Sequence, residues 1–176
     1  SIKSNIPIGT TICNIKDVNF FSKFIPQLFI HEEFKPEILY NCTLRQKLLV
    51  KKKIYDKEKY GASNIDPEAF LVIDDCFSNN GLEDNDILKL LKNNKYLEVN
   101  NIISMRYNKK INRNYLDTFD YIFISKETNV KYLNYMYEDF GNLFNNFEYF
   151  QQVISIPTTN DFYILNNKPR NKYLNK

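Results

Sequence analysis

A chain of 176 residues, 43% hydrophobic and 26% charged, is long enough to bury a core on both sides of a sheet, and none of its apolar runs approaches the roughly 18 residues that cross a bilayer. Its net charge of +3 and pI of 8.6 fall short of the clustered basicity of a dedicated nucleic-acid binder, where a pI above about 9 is usual. Cys13, Cys42 and Cys76 are never spaced Cys-x-x-Cys and His31 is the only histidine, so a disulfide framework, a zinc site and a Ser-His-Asp triad are all poorly supported.

The opening SIKSNIPIG lacks the charged region and apolar core of a signal peptide, so secretion is not expected. Its start on Ser predicts a further part upstream. Ile8 to Ile15 (IGTTICNI) reads as a first strand, with Thr and Ile favouring the pleat. Asn19 to Ile30 reads as a short helix or turn and then an extended piece, and His31 as a loop residue. Pro36 suits the first position of a helix, with Glu37 in its first turn and Lys51 to Lys53 in its last turns. Asp56 to Glu68, polar and containing Gly61 and Pro67, reads as a loop.

Phe70-Leu71-Val72-Ile73-Asp74-Asp75-Cys76 is then a short buried strand ending in two adjacent carboxylates. Ligands of open α/β sheets bind outside the carboxyl ends of the strands. Paired acids there suit a Walker B arrangement, in which one acid serves magnesium and the next orients a water. A strand that ends in an Asp capping the next helix fits the same heptapeptide.

Beyond it, LEDNDILKLLKNNKY carries acids at its start and lysines at its end, as a helix prefers. Val99 to Met105 is a strand, and a basic, Asn-rich connector follows. Phe119 to Ile124 is another strand. Helical spacing recurs at Val130, Leu133, Met136, Tyr137 and Phe140, with Gly141 as the stop. It recurs again at Phe144, Phe147, Phe150 and Ile154, and these aromatic stripes read as core. Phe162 to Leu165 is a last strand before a polar, basic tail. The alternation predicts an α/β domain with a mostly parallel sheet and helices on both faces.

The succession Phe24-Ile25-Pro26, Phe29-Ile30, Glu33-Phe34, Pro36-Glu37, Arg45-Gln46, LVIDDC and FDYIFISKETN resembles the genome-packaging ATPases of large nucleocytoplasmic DNA viruses, a poxvirus-type branch of the FtsK–HerA superfamily of P-loop NTPases. The similarity runs from about Ile8 to Leu165. It implies a RecA/FtsK-type fold over residues 1–166 whose N-terminal P-loop unit is missing, and a flexible basic tail over 167–176. It further implies ATP and magnesium, double-stranded DNA, a homo-oligomeric ring, a capsid partner, and residence in the virus factory of an infected cytoplasm or in the virion. Asp74 takes the metal-holding position and Asp75 the position that polarises water.

Three departures accompany the resemblance. No G-x-x-x-x-G-K-[ST] loop occurs, so no residues are assigned to the phosphates. Asn93-Asn94-Lys95-Tyr96 stands where the family carries Asn-Gly-Arg-His, which puts Lys95 in the position of an arginine that acts on a neighbouring subunit's nucleotide; Lys lacks the bidentate fork. Met105-Arg106 stands where a glutamine sensor is usual, and Leu116 and Thr118 replace an Arg and an Asn. Arg106 is expected either near the phosphates or, preferably, paired with Asp120. The expected activity is ATP-driven DNA translocation, with a catalytically inactive motor-like protein as the alternative. A nuclease using Asp74 and Asp75 with Glu68 is a weaker third reading. Should the basic clusters at Lys51 to Lys53, Lys109 to Arg113 and the tail share a face, DNA binding would be strongly salt-dependent.

Overall fold

Residues 8–76, 85–106, 111–141, 144–156 and 161–167 are described by the computed structural model. Contacts divide the chain into two compact units, Ser1–Arg106 and Tyr107–Lys176.

In the first unit the β-branched run gives β1 (Ile8–Cys13), the expected first strand, followed by the four-residue helix α1 (Val18–Phe21) and the two-residue β2 (Ile30–His31). His31 therefore sits in an edge strand. The four apolar residues before the acids lie in β3 (Ala69–Asp74), and β4 spans Val99–Ser104. The four strands pair in the order β2-β1-β3-β4, all parallel. Parallel pairing needs a crossover between neighbours: residues 14–29, with α1, join β1 to β2, and two longer helical connections lead on to β3 and β4. Close register between β1 and β3 depends on Gly9: the Phe70 ring lies where its Cβ would be, 1.8 Å from the ring Cζ.

The first of these longer connections is α2 (Pro36–Tyr60), with Pro36 at its start and Glu37 in the first turn as expected. It is longer than the sequence suggests. The run Asp56 to Tyr60, expected as loop, stays helical because its Lys and Glu residues are good helix formers. The first breaker is Gly61, at φ 78°, whose N–H closes on the Lys57 carbonyl at 2.9 Å. Lys51 to Lys53 are thus mid-helix, and Lys53 reaches across to Glu98 at 2.9 and 2.8 Å.

The buried stripe of α2 is Leu39, Gln46 and Val50. Gln46, 2% exposed, is a polar staple. Its Nε2 donates to the Pro67 carbonyl at 2.6 Å and the Leu97 carbonyl at 2.9 Å, and its Oε1 accepts from Arg45 at 2.7 Å. It therefore ties α2 to the entrances of β3 and β4 together.

The second longer connection breaks in two, α3 (Asn85–Lys92) and α4 (Asn94–Leu97). The Asn93 side chain explains the break by donating to the Lys89 carbonyl at 2.7 Å, a local bond that competes with continued helix. The start of that expected helix, residues 82–84, lies outside the described residues.

The second unit contains α5 (Arg113–Leu116), β5 (Tyr121–Ser125), α6 (Val130–Phe140), α7 (Phe147–Ser155) and β6 (Phe162–Asn166). Strands β5 and β6 pair antiparallel with each other, with Ile122 opposite Leu165 and Ile124 opposite Tyr163. Among the described residues they form a two-stranded sheet of their own, where the alternation of elements had suggested further strands of the parallel sheet. Both alternate more buried with exposed residues, the pattern of a sheet solvated on one face. Asn129 and Asn146 cap α6 and α7 through bonds from the Lys131 and Tyr149 N–H groups. Phe150, fully buried, stacks against Tyr137, Phe144 and Phe147 with ring centroids 5.5, 5.0 and 6.5 Å away, so the aromatic stripes are core as expected. Of the expected tail, residues 168–176 lie outside the described residues, as do 107–110 of the basic connector.

Candidate functional site

The carboxyl ends of β3 and β4 bring together four of the chain's polar side chains. β3 is an inner strand with β1 on one side and β4 on the other, so its end cannot slide without breaking two ladders. Asp74 is its last residue, half-buried, and pairs in register with Ser104 at the end of β4. The Ser104 hydroxyl donates to Asp74 Oδ1. Asp75 leaves the strand in the left-handed region at φ 46°, a conformation uncommon outside glycine and concentrated at functional sites. Its N–H donates to the Ser104 carbonyl at 3.1 Å, and its Oδ2 accepts from Arg106 Nε at 3.0 Å.

Arg106 thus lies beside the acids, at Asp75, whereas the sequence favoured a pairing with Asp120. The pair is open to solvent, with side-chain exposures of 83% for Arg106 and 46% for Asp75, so it contributes at most about 1 kcal/mol. It is a contact that a stronger partner for either group can displace.

Two thiols flank the acids on the protein side. Cys13 ends β1, fully buried and in register with Asp74. Cys76 donates its S–H to the Asp74 carbonyl at 2.9 Å. Burial, reinforced by Cys13 and Asp74, pushes the Cys76 thiol up to about 11. Burial also raises Cys13, with Asp17 and Asp74 adding to it. Both thiols stay protonated at neutral pH.

Lys95 is not brought to the acids. It sits exposed on α4, which leads into the amino end of β4, while the acids lie at the carboxyl ends. Six residues of strand put about 20 Å between those ends. A role for Lys95 within its own subunit's acid site is excluded by that distance; the role that the resemblance implies, on a neighbour, is not. Glu68 is separated in the same way. It precedes β3, where its carboxylate accepts from Asn100 at 3.3 Å, so the third acid of a nuclease reading stands at the wrong end of the strand. Among the described residues no group of three or more His, Cys, Asp or Glu side chains could hold a metal ion.

Ser104 is the site residue that sequence reasoning missed. A signal existed: once Val99 to Met105 is read as a strand beside β3, its last polar residue falls opposite the first acid. A cavity of about 50 Å³ lies under α2, lined among others by Thr10, Cys42, Gln46 and Leu90. It is far below the 300–1,000 Å³ of a small-molecule site.

These features define an α/β unit with a parallel sheet and paired acids at the carboxyl end of an inner strand. Its relatives are proteins of large DNA viruses. The chain is 30% identical over 177 aligned positions to uncharacterized protein L437 of Acanthamoeba polyphaga mimivirus, covering 98% of this chain and 62% of that protein. It is 29% identical over 162 positions to uncharacterized protein 075L of Invertebrate iridescent virus 6 (87% and 56%), and 26% identical over 140 positions to uncharacterized protein 015R of Frog virus 3 (78% and 41%). No family model matches the chain. The chain therefore spans between 41% and 62% of the length of these relatives. Among the described residues no helix is long and apolar enough to cross a membrane.

Proposed function

We propose that the chain is the portion that follows the P-loop in a viral DNA-packaging ATPase of the FtsK–HerA type, a ring-forming motor that drives double-stranded DNA into a capsid. The observation that carries this reading is the acid pair at the end of β3: Asp74 oriented by a neutral hydroxyl, and Asp75 turned out of the strand beside a movable arginine. The ordered resemblance along the sequence and the similarity to proteins of large DNA viruses support it.

The donor set suits magnesium that arrives with phosphate. Such an ion keeps several waters and takes one or two carboxylates, and needs no cage made only of protein. Asp74 is the residue that would hold it, and when bound the ion neutralises charge on the phosphate oxygens. Asp75 is the residue that would orient a water, and the exposed Arg106 beside it is the cation that would face a phosphate oxygen. Lys95 acts on the nucleotide of the adjacent subunit, with a point charge in place of the arginine fork. The action is placed in the virus factory or the virion.

Within the 176 residues no G-x-x-x-x-G-K-[ST] occurs, and this sustains one second reading, a motor-like protein without catalysis that serves assembly. ATP hydrolysis by the complete gene product, measured with and without double-stranded DNA, separates the two. The packaging reading requires magnesium-dependent turnover stimulated by DNA. No turnover and no nucleotide binding would leave the assembly role.

A further inference from the structure

We propose that Ser104 is the positioning residue of the acid pair; the inference rests on the reading of Asp74 as the acid that serves the metal. Ser104 makes two bonds to two different acids. Its hydroxyl donates to the Asp74 carboxylate and its carbonyl accepts the Asp75 N–H at 3.1 Å. The first bond occupies Oδ1 and fixes the plane of the carboxylate, leaving Oδ2 without a donor among the described residues. The second holds Asp75 at φ 46°, a backbone state that persists only where the surroundings impose it. The Asp74 carboxylate and the backbone of Asp75 are thereby both held from β4, by one residue in register with the first acid.

The chemistry of the donor matters as much as its place. A lysine or arginine at this position would orient Asp74 but also neutralise it and compete with a cation. A hydroxyl orients the group and leaves its charge intact. Among the described residues the one cationic side chain bonded to the pair, Arg106, goes to Asp75. The two acids are thus differentiated: Asp74 is held by a neutral donor, and Asp75 is shared with an arginine.

The test is Mn²⁺ alone, titrated into the 176-residue chain and read by paramagnetic broadening of the backbone amide signals of Asp74, Asp75 and Cys76. The wild type broadens these signals selectively, and Asp74→Asn abolishes the effect. Ser104→Ala weakens the apparent Mn²⁺ affinity about fivefold, the worth of one lost hydrogen bond of about 1 kcal/mol, while Ser104→Thr keeps it within about twofold by the same reasoning. Ser104→Val, of the same shape as Thr and without the hydroxyl, repeats the comparison should the Ala variant fold poorly. A purely structural serine would change the melting temperature and not the ratio between Thr and Val. Equal affinity in Thr and Val with selective broadening intact overturns the role of Ser104 and leaves that of Asp74. Absence of selective broadening in the wild type overturns both.

Discussion

Gln46→Met removes the staple between α2 and the entrances of the two strands that carry the site, with little change of shape. The amide is 2% exposed and donates to two carbonyls, Pro67 at 2.6 Å and Leu97 at 2.9 Å. Methionine fills the same space and donates nothing. Each buried carbonyl deprived of its donor costs about 1–3 kcal/mol. Arg45, only half-buried, replaces its bond to Oε1 with water. Partial relaxation of the loop before β3 offsets some of the loss, so the net destabilisation is about 3 kcal/mol. With a urea m-value of about 2 kcal/mol/M, the midpoint falls by about 1.5 M at unchanged m. Far-UV circular dichroism along a urea series measures it. A midpoint within about 0.3 M of wild type would refute the claim that this amide holds the two strand entrances together, since the shift would then correspond to well under one hydrogen bond.

Other outcomes follow from the same packing. Gly9→Ala places a methyl group against the Phe70 ring, and overpacking of that kind costs about 1–3 kcal/mol, seen as a lowered melting temperature that Phe70→Leu in the same chain partly restores. At pH 8 a thiol pushed up to about 11 is about 0.1% thiolate, so alkylation of Cys76 by iodoacetamide in the native chain runs at least about tenfold slower than in urea. The same shift gives stability a pH dependence: the unfolded thiol ionises first, so the contribution is complete below its ordinary value of 9.0 and is lost as pH rises through about 11. Urea midpoints that do not fall between those pH values would contradict it.

The site was legible in the sequence where it depended on local pattern. A strand of four apolar residues ending in two acids needs no tertiary information, and β3 ends at Asp74 as expected. What depended on neighbours was not legible. Ser104 becomes a site residue only because β4 lies beside β3 in register, and register follows from packing over α2, not from any motif. The pairing of Arg106 with Asp75 depends on the same adjacency. The far end of α2 is helix where its polarity suggests loop, because Lys and Glu are as compatible with an exposed helix as with a turn. Strands β5 and β6 were located well from their β-branched and aromatic residues, but their partner was not, since period-two alternation identifies a half-exposed strand and not the sheet it joins. The charge of Lys95 was visible and its distance from the acids was not, because that distance is the length of β4.

The central claim is that the acid pair serves nucleotide hydrolysis, and Asp75→Asn in the complete gene product tests it most directly. The wild type is expected to hydrolyse ATP with magnesium, and the variant to lose roughly a hundredfold or more in turnover, the scale of a lost catalytic base, with ATP binding retained. Hydrolysis unchanged by Asp75→Asn would contradict it.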